Sequence, residues 1–124
     1  MVLDFVELGE LAGLGRRSEI RLLVNEQFGP WLALRAAVFT RRVLPETGPA
    51  RRICESCPAP CVAAVPPGVE PAISLTARQA CVVSPAERYA PLELTYHYDR
   101  AAGRREFCAL LGITDEVSTF GART

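Results

Sequence analysis

The chain has 124 residues, 49% of them hydrophobic, with 14 basic and 14 acidic side chains, one His and five Cys. That length suits one domain able to bury roughly two thirds of its unfolded surface, and zero net charge excludes a global field drawing it to nucleic acid or an anionic membrane. Apart from the single His, every basic residue is Arg, which excludes a Schiff-base lysine and a Walker-type phosphate lysine.

The first fourteen residues carry Asp4, Glu7 and Glu10, unlike a secretory signal or an Arg-rich transit peptide. No apolar run approaches the ~20 residues of a bilayer crossing. The expectation is a cytoplasmic chain without a membrane span. Residues 3–13 place Phe5, Leu8, Leu11 and Ala12 on one side and the three acids on the other. This predicts an amphipathic helix with its acids toward the positive end, stopped by Gly13 and Gly15. Residues 20–25 alternate Ile20, Leu22 and Val24 toward one face. Residues 31–40 alternate Leu32, Leu34, Ala36 and Val38 against Trp31, Arg35 and Phe39. With Glu26-Gln-Phe-Gly-Pro30 between them, the pair reads as a β-hairpin. Arg21 and Arg35 then project from the opposite face, solvated or poised for an anion.

Residues 41–53 hold two Arg pairs, two Pro and a Gly, and read as a connection. Its arginines are expected to be solvated, or to offset thiolate charge if the segment folds back. Three cysteines then fall within eight residues, Cys54-Glu-Ser-Cys57-Pro-Ala-Pro-Cys61. Pro58 and Pro60 forbid a regular helix there, so the three thiols can converge on one point. An odd cysteine count without an export signal does not read as a disulfide framework. Converged thiolates repel unless a cation offsets them, so the spacing points to zinc or an iron–sulfur cluster. Val62-Ala-Ala-Val65-Pro66 follows; the bacterial ferredoxin pattern has Cys-Pro where Val65-Pro66 stands. A fourth ligand must come from Cys81, Cys108 or His97, and Cys81, in a short segment closed by Pro85, is preferred. Cys108 reads as a small buried hydrophobe on a helical stripe, and His97, between Tyr96 and Tyr98, as a packing residue.

Residues 73–82 predict a short helix with Cys81 at its end. Pro91 suits a first helical position, with Leu94, Tyr98 and Ala101 on one stripe. Phe107, Leu110 and Leu111 continue that helix or begin another, ended by Gly112. The fold class is therefore α+β: an N-terminal helix, a β-hairpin, a cysteine-rich loop and C-terminal helices. They form one small domain over 1–124, divided into 1–45, 46–90 and 91–124. With one His and no feature linking it to a nucleophile, no catalytic triad is assembled. The two glycines of Leu11-Ala-Gly-Leu-Gly-Arg16 precede a hairpin and make no dinucleotide fingerprint. The sequence leaves open whether the chain is an enzyme and favours a non-enzymatic role.

Two stretches together carry a resemblance. Residues 13–40, with Gly13-Leu-Gly, an apolar strand, Phe28-Gly-Pro-Trp31 and a strand ending in Thr40, resemble the last part of the catalytic domain of epoxyqueuosine reductase-like proteins. There a ferredoxin-like module follows at a similar distance. Residues 51–100, with the cysteine run, Ala77-Arg-Gln-Ala-Cys81-Val-Val, Arg88-Tyr-Ala-Pro91 and Tyr96-His-Tyr98, resemble bacterial ferredoxin-like proteins. The resemblance implies a [4Fe–4S]-type cluster and electron transfer, with cluster ligation carried onto Cys54, Cys57, Cys61 and Cys81. The corrinoid-binding portion, its catalytic acid and the cysteines of a second cluster have no counterpart in this sequence, so reductase activity is not carried over. The expected function is a small electron-transfer or redox accessory module, its partner a redox protein or another copy of the chain. A zinc-stapled module and a metal-free assembly partner are the alternatives.

Overall fold

The computed structural model describes residues 3–99 and 108–112. The fold is α+β, and contacts divide it into two units, Met1–Arg88 and Tyr89–Thr124.

The first unit opens with helix α1, Phe5–Leu11. Asp4 caps it: Oδ1 accepts from the backbone N–H groups of Val6 and Glu7 at 2.9 and 3.1 Å, satisfying two donors that a helix start leaves orphaned. Arg17 returns to bond Asp4 Oδ2 at 2.8 Å. These bonds hold the Asp4 carboxyl below the usual carboxylate range, the N–H of Glu7 contributing most.

The hairpin differs from the expected one. It pairs β1, Arg16–Arg17, with β2, Leu23–Val24, antiparallel, rather than residues 20–25 with 31–40. Two local features move it upstream. Gly15 lets the chains meet, since a Cβ there would stand 2.5 Å from the Val24 carbonyl oxygen. Arg21, at φ 61°, closes the connecting turn, helped by Ser18, whose N–H and hydroxyl both reach the Leu22 carbonyl, at 2.8 and 2.9 Å. Asn25 then organises a tight turn. Its Oδ1 accepts from Gln27 and Phe28, and Asn25 and Gly29 exchange backbone bonds of 3.1 and 2.7 Å.

Beyond that turn, Arg78 of α3, Leu75–Ala80, decides the chain's course. Its Nε and a terminal nitrogen donate to the Pro30 carbonyl at 3.0 and 2.7 Å. Its guanidinium carbon lies 4.7 Å from the centre of the Trp31 ring. Pro30 and Trp31 are thereby drawn onto α3 instead of turning back along β2. Residues 32–40, expected as a strand, form neither helix nor ladder. Among the described residues no backbone–backbone hydrogen bond involves positions 32–50. Leu34 still reaches α1 beside Gly9, but Val38, Phe39 and Val43 are almost fully exposed.

The core lies under the hairpin tip. Ile20, 1% exposed, packs with Cys61 of the short helix α2, Pro60–Ala63, and with Ala77 of α3; Leu22, Ala59 and Val65 flank them. Val65 thus serves as packing. The second unit contains α4, Pro91–Tyr98, with Pro91 at its first position as expected. The Ala90 N–H donates to Glu93 Oε2 at 2.7 Å, and His97 stacks on Tyr89 with centroids 4.7 Å apart, in keeping with a packing residue. Residues 108–111 are helical and Gly112 turns left-handed. Ala101 and Phe107 lie outside the described residues.

Three substitutions test this architecture. Ile20→Val is expected to destabilise by about 0.5–1.5 kcal/mol in urea unfolding, while Val43→Ala, at a position 95% exposed, should stay within about 0.5 kcal/mol of the parent. Arg78→Lys removes the two-pronged hold on Pro30 and the flat stack on Trp31. Trp31 is the only tryptophan, so its emission should shift to the red, with about 1–3 kcal/mol of stability lost.

Candidate metal centre

Cys54 sits in a 3₁₀ turn, Ile53–Ser56, and Cys57 ends it, its N–H bonding the Cys54 carbonyl at 3.2 Å. The chain reverses at Ala59, left-handed at φ 53°, between Pro58 and Pro60. This puts the Ala59 N–H 3.4 Å from the Cys57 sulfur and starts α2 with Cys61 facing inward, 8% exposed. α3 brings the fourth thiol. Ser74 caps it through a bond from the Ala77 N–H, Thr76 Oγ1 donates to the Ala64 carbonyl at the end of α2, and Cys81 follows at the C-cap, 7% exposed.

The turn at Asn25 holds the segment after Cys81 from the other side. Ser84 donates to the Glu26 carbonyl at 2.7 Å. Gly29, at φ +59°, lies so close to Val83 that a Cβ would meet its carbonyl oxygen at 2.4 Å. Only a glycine passes there without moving one backbone or the other.

Cys54, Cys57, Cys61 and Cys81 line one cavity of about 20 Å³, walled by Ile20, Val24, Ala59, Pro60 and Val83, with Ser18 and Glu19 at its edge. All five cysteines of the chain are free thiols. Burial pushes the Cys54 thiol above its ordinary pKa, and the facing Cys81, Cys57 and Cys61 push it further. Burial raises Cys61 as well, with Cys81 the next cause. Each charge placed in this cavity makes the next more costly, so without a cation the neutral thiol is favoured.

The sequence pattern thus lists four residues that share one cavity, including Cys81 from a separate helix. Cys108 and His97 belong to the second unit. Sequence reasoning did not single out Ser18, Glu19, Ile20, Val24 and Val83 as cavity walls; Ile20 and Val24 read there only as one face of a strand. Of the arginines before the cysteine loop, Arg51 pairs with Glu26 and Arg52 with Glu55, and Arg52 also lines a hollow that includes Cys54. Arg21 pairs with Glu70 at the surface.

Among the described residues, no three His, Cys, Asp or Glu side chains are gathered so as to hold a single metal ion. A polynuclear centre makes a different demand, because its thiolates bind separate metal atoms around its periphery. Four thiols set among mostly apolar walls, with the oxygens of Ser18 and Glu19 at the edge, make a predominantly soft donor set that suits iron–sulfur chemistry better than a hard cation. Scanned against protein-family models, curated proteins and solved structures, the chain finds no match. Among the described residues no helix is long and apolar enough to cross a membrane.

The raised thiols fix the sign of a pH effect. The folded, metal-free chain retains protons that the unfolded chain releases, so this contribution is complete below the unfolded thiol pKa of about 8.5 and is lost as pH climbs toward the folded values. The urea midpoint should hold steady between pH 7 and 8 and fall above about pH 9. Cys61→Ala should reduce that alkaline slope.

Proposed function

We propose that Cys54, Cys57, Cys61 and Cys81 ligate a [4Fe–4S]-type cluster and that the chain is a small electron-transfer module. What carries this reading is the convergence of four free thiols, three from one proline-braced loop and one from the end of α3, on one apolar cavity. The ferredoxin pattern supports it in a particular way. In two-cluster ferredoxins the last cysteine of the run serves the other cluster. Val65 at that place is consistent with the loss of a second centre while the first keeps its remote fourth thiolate.

When bound, such a cluster supplies reversible one-electron transfer. The chain's own residues set its surroundings. The Ala59 N–H aims at the Cys57 sulfur, which favours added negative charge there. Ile20, Val24 and Val83 keep water from the inner side. This role calls on no acid, base or nucleophile of the chain and does not extend to reductase activity.

The experiment is anaerobic reconstitution with ferrous iron and sulfide. The reading expects a brown protein with broad visible absorption and ~4 iron and ~4 sulfide per chain. Cys57→Ser or Cys81→Ser should reduce iron at least ~10-fold, whereas Cys108→Ser should retain it. A colourless protein, one zinc per chain, or iron content indifferent to Cys57 and Cys81 would overturn the assignment.

A further inference from the structure

The four thiols are not equally accessible. Cys61 packs with Ile20 and Ala77 in the core and Cys81 is 7% exposed, whereas Cys54 and Cys57 are half-exposed and border an open surface concavity of about 620 Å³. Its floor is small and apolar: Pro58, Ala59, Val62 and Ala63, with Val62 47% exposed. Its only charged residues are Glu19 and Glu55. Glu55 is bonded to Arg52 at 2.7 Å. Among the described residues Glu19 has no ion-pair partner, and it borders the thiol cavity, the concavity and the hollow beside Cys54.

We propose that this concavity is the docking lip through which the centre exchanges electrons, and that it fits a redox protein with an apolar contact patch bearing a cation that meets Glu19. The inference rests on the cluster reading but uses its own observations. An electron-transfer contact needs the cofactor's edge near the surface, and only the Cys54–Cys57 side offers one. The whole chain is electrically neutral, so any preference for a cationic visitor at this lip must come from nearby groups within about a Debye length of ~10 Å. Unlike Glu55, whose charge its own arginine offsets, Glu19 supplies that field. Small contacts of this type form transient redox encounters, where charge steers approach more than it adds affinity.

The test begins with the metal-free full chain, so it stands even if reconstitution fails. Two methanethiosulfonate reagents of similar size, one bearing a trimethylammonium and one a sulfonate, are compared at low ionic strength, and labelled peptides are read by mass spectrometry. Cys54 and Cys57 should label before Cys61 and Cys81, and the cation should react faster than the anion. Glu19→Gln should reduce that ratio about three- to fivefold, as expected for removing one unit charge within a Debye length of the thiols in water, while Glu87→Gln leaves it unchanged. In the reconstituted protein, oxidation by hexaammineruthenium(III) relative to ferricyanide should shift in the same direction. Uniform labelling of all four thiols, or a ratio insensitive to Glu19, would overturn the docking lip even in a brown protein. A colourless protein that keeps the labelling pattern would overturn the cluster instead.

Discussion

The seating of the hairpin tip between two short helices is the constraint on which the site depends. Ile20 is held at the turn by the left-handed Arg21 and the bonds of Ser18 to Leu22, and it meets Cys61 and Ala77 at near-complete burial. α2 has four residues and α3 six. Helices so short are not stable by propensity and persist through tertiary packing. By filling the space between them, Ile20 fixes Cys61 relative to the segment that carries Cys81. The same residue then forms a wall of the thiol cavity, so packing and site are one structure.

A second restraint acts from the opposite side. The turn at Asn25 has its own internal bonds and presents carbonyls outward. Arg78 and Ser84 use them at Pro30 and Glu26. These contacts span about fifty residues of sequence, yet they need only a few polar atoms placed by two tight turns. They offset the weak secondary structure of the unit, whose sheet has just two strands of two residues each. The thiols themselves oppose folding if ionised, and an apolar cavity holding four of them is tolerable only while they are neutral or their charge is neutralised.

Much of this was legible in the chain. The pattern over 3–13 with its stop at Gly13 marks α1, though not Asp4 as its cap; Pro91 marks the start of α4; and Cys81 falls at the end of a six-residue helix where the segment 73–82 suggested one. The cysteine run and its prolines identified a loop able to bring sulfur together. The hairpin was misplaced because alternation in residues 31–40 has the strand period, but period says nothing about which neighbour is free to pair. The partner actually used, Arg16–Arg17, carries no apolar signal at all. The Arg78 hold on Pro30 was invisible for a similar reason: it uses a main-chain carbonyl, which every sequence has everywhere. Nothing in the sequence marks Glu19, which borders three concavities only because of where the fold places it.

Residues 35–46 remain wet in the native fold, with Val38, Phe39, Val43 and Leu44 all open to solvent and no backbone–backbone hydrogen bonds among the described residues. Melting the protein therefore uncovers little in this stretch that water does not already touch. Because the heat-capacity increment scales with newly hydrated apolar area, the stability curve of this chain is flatter than its length alone would suggest, and its tolerance of cold correspondingly wider.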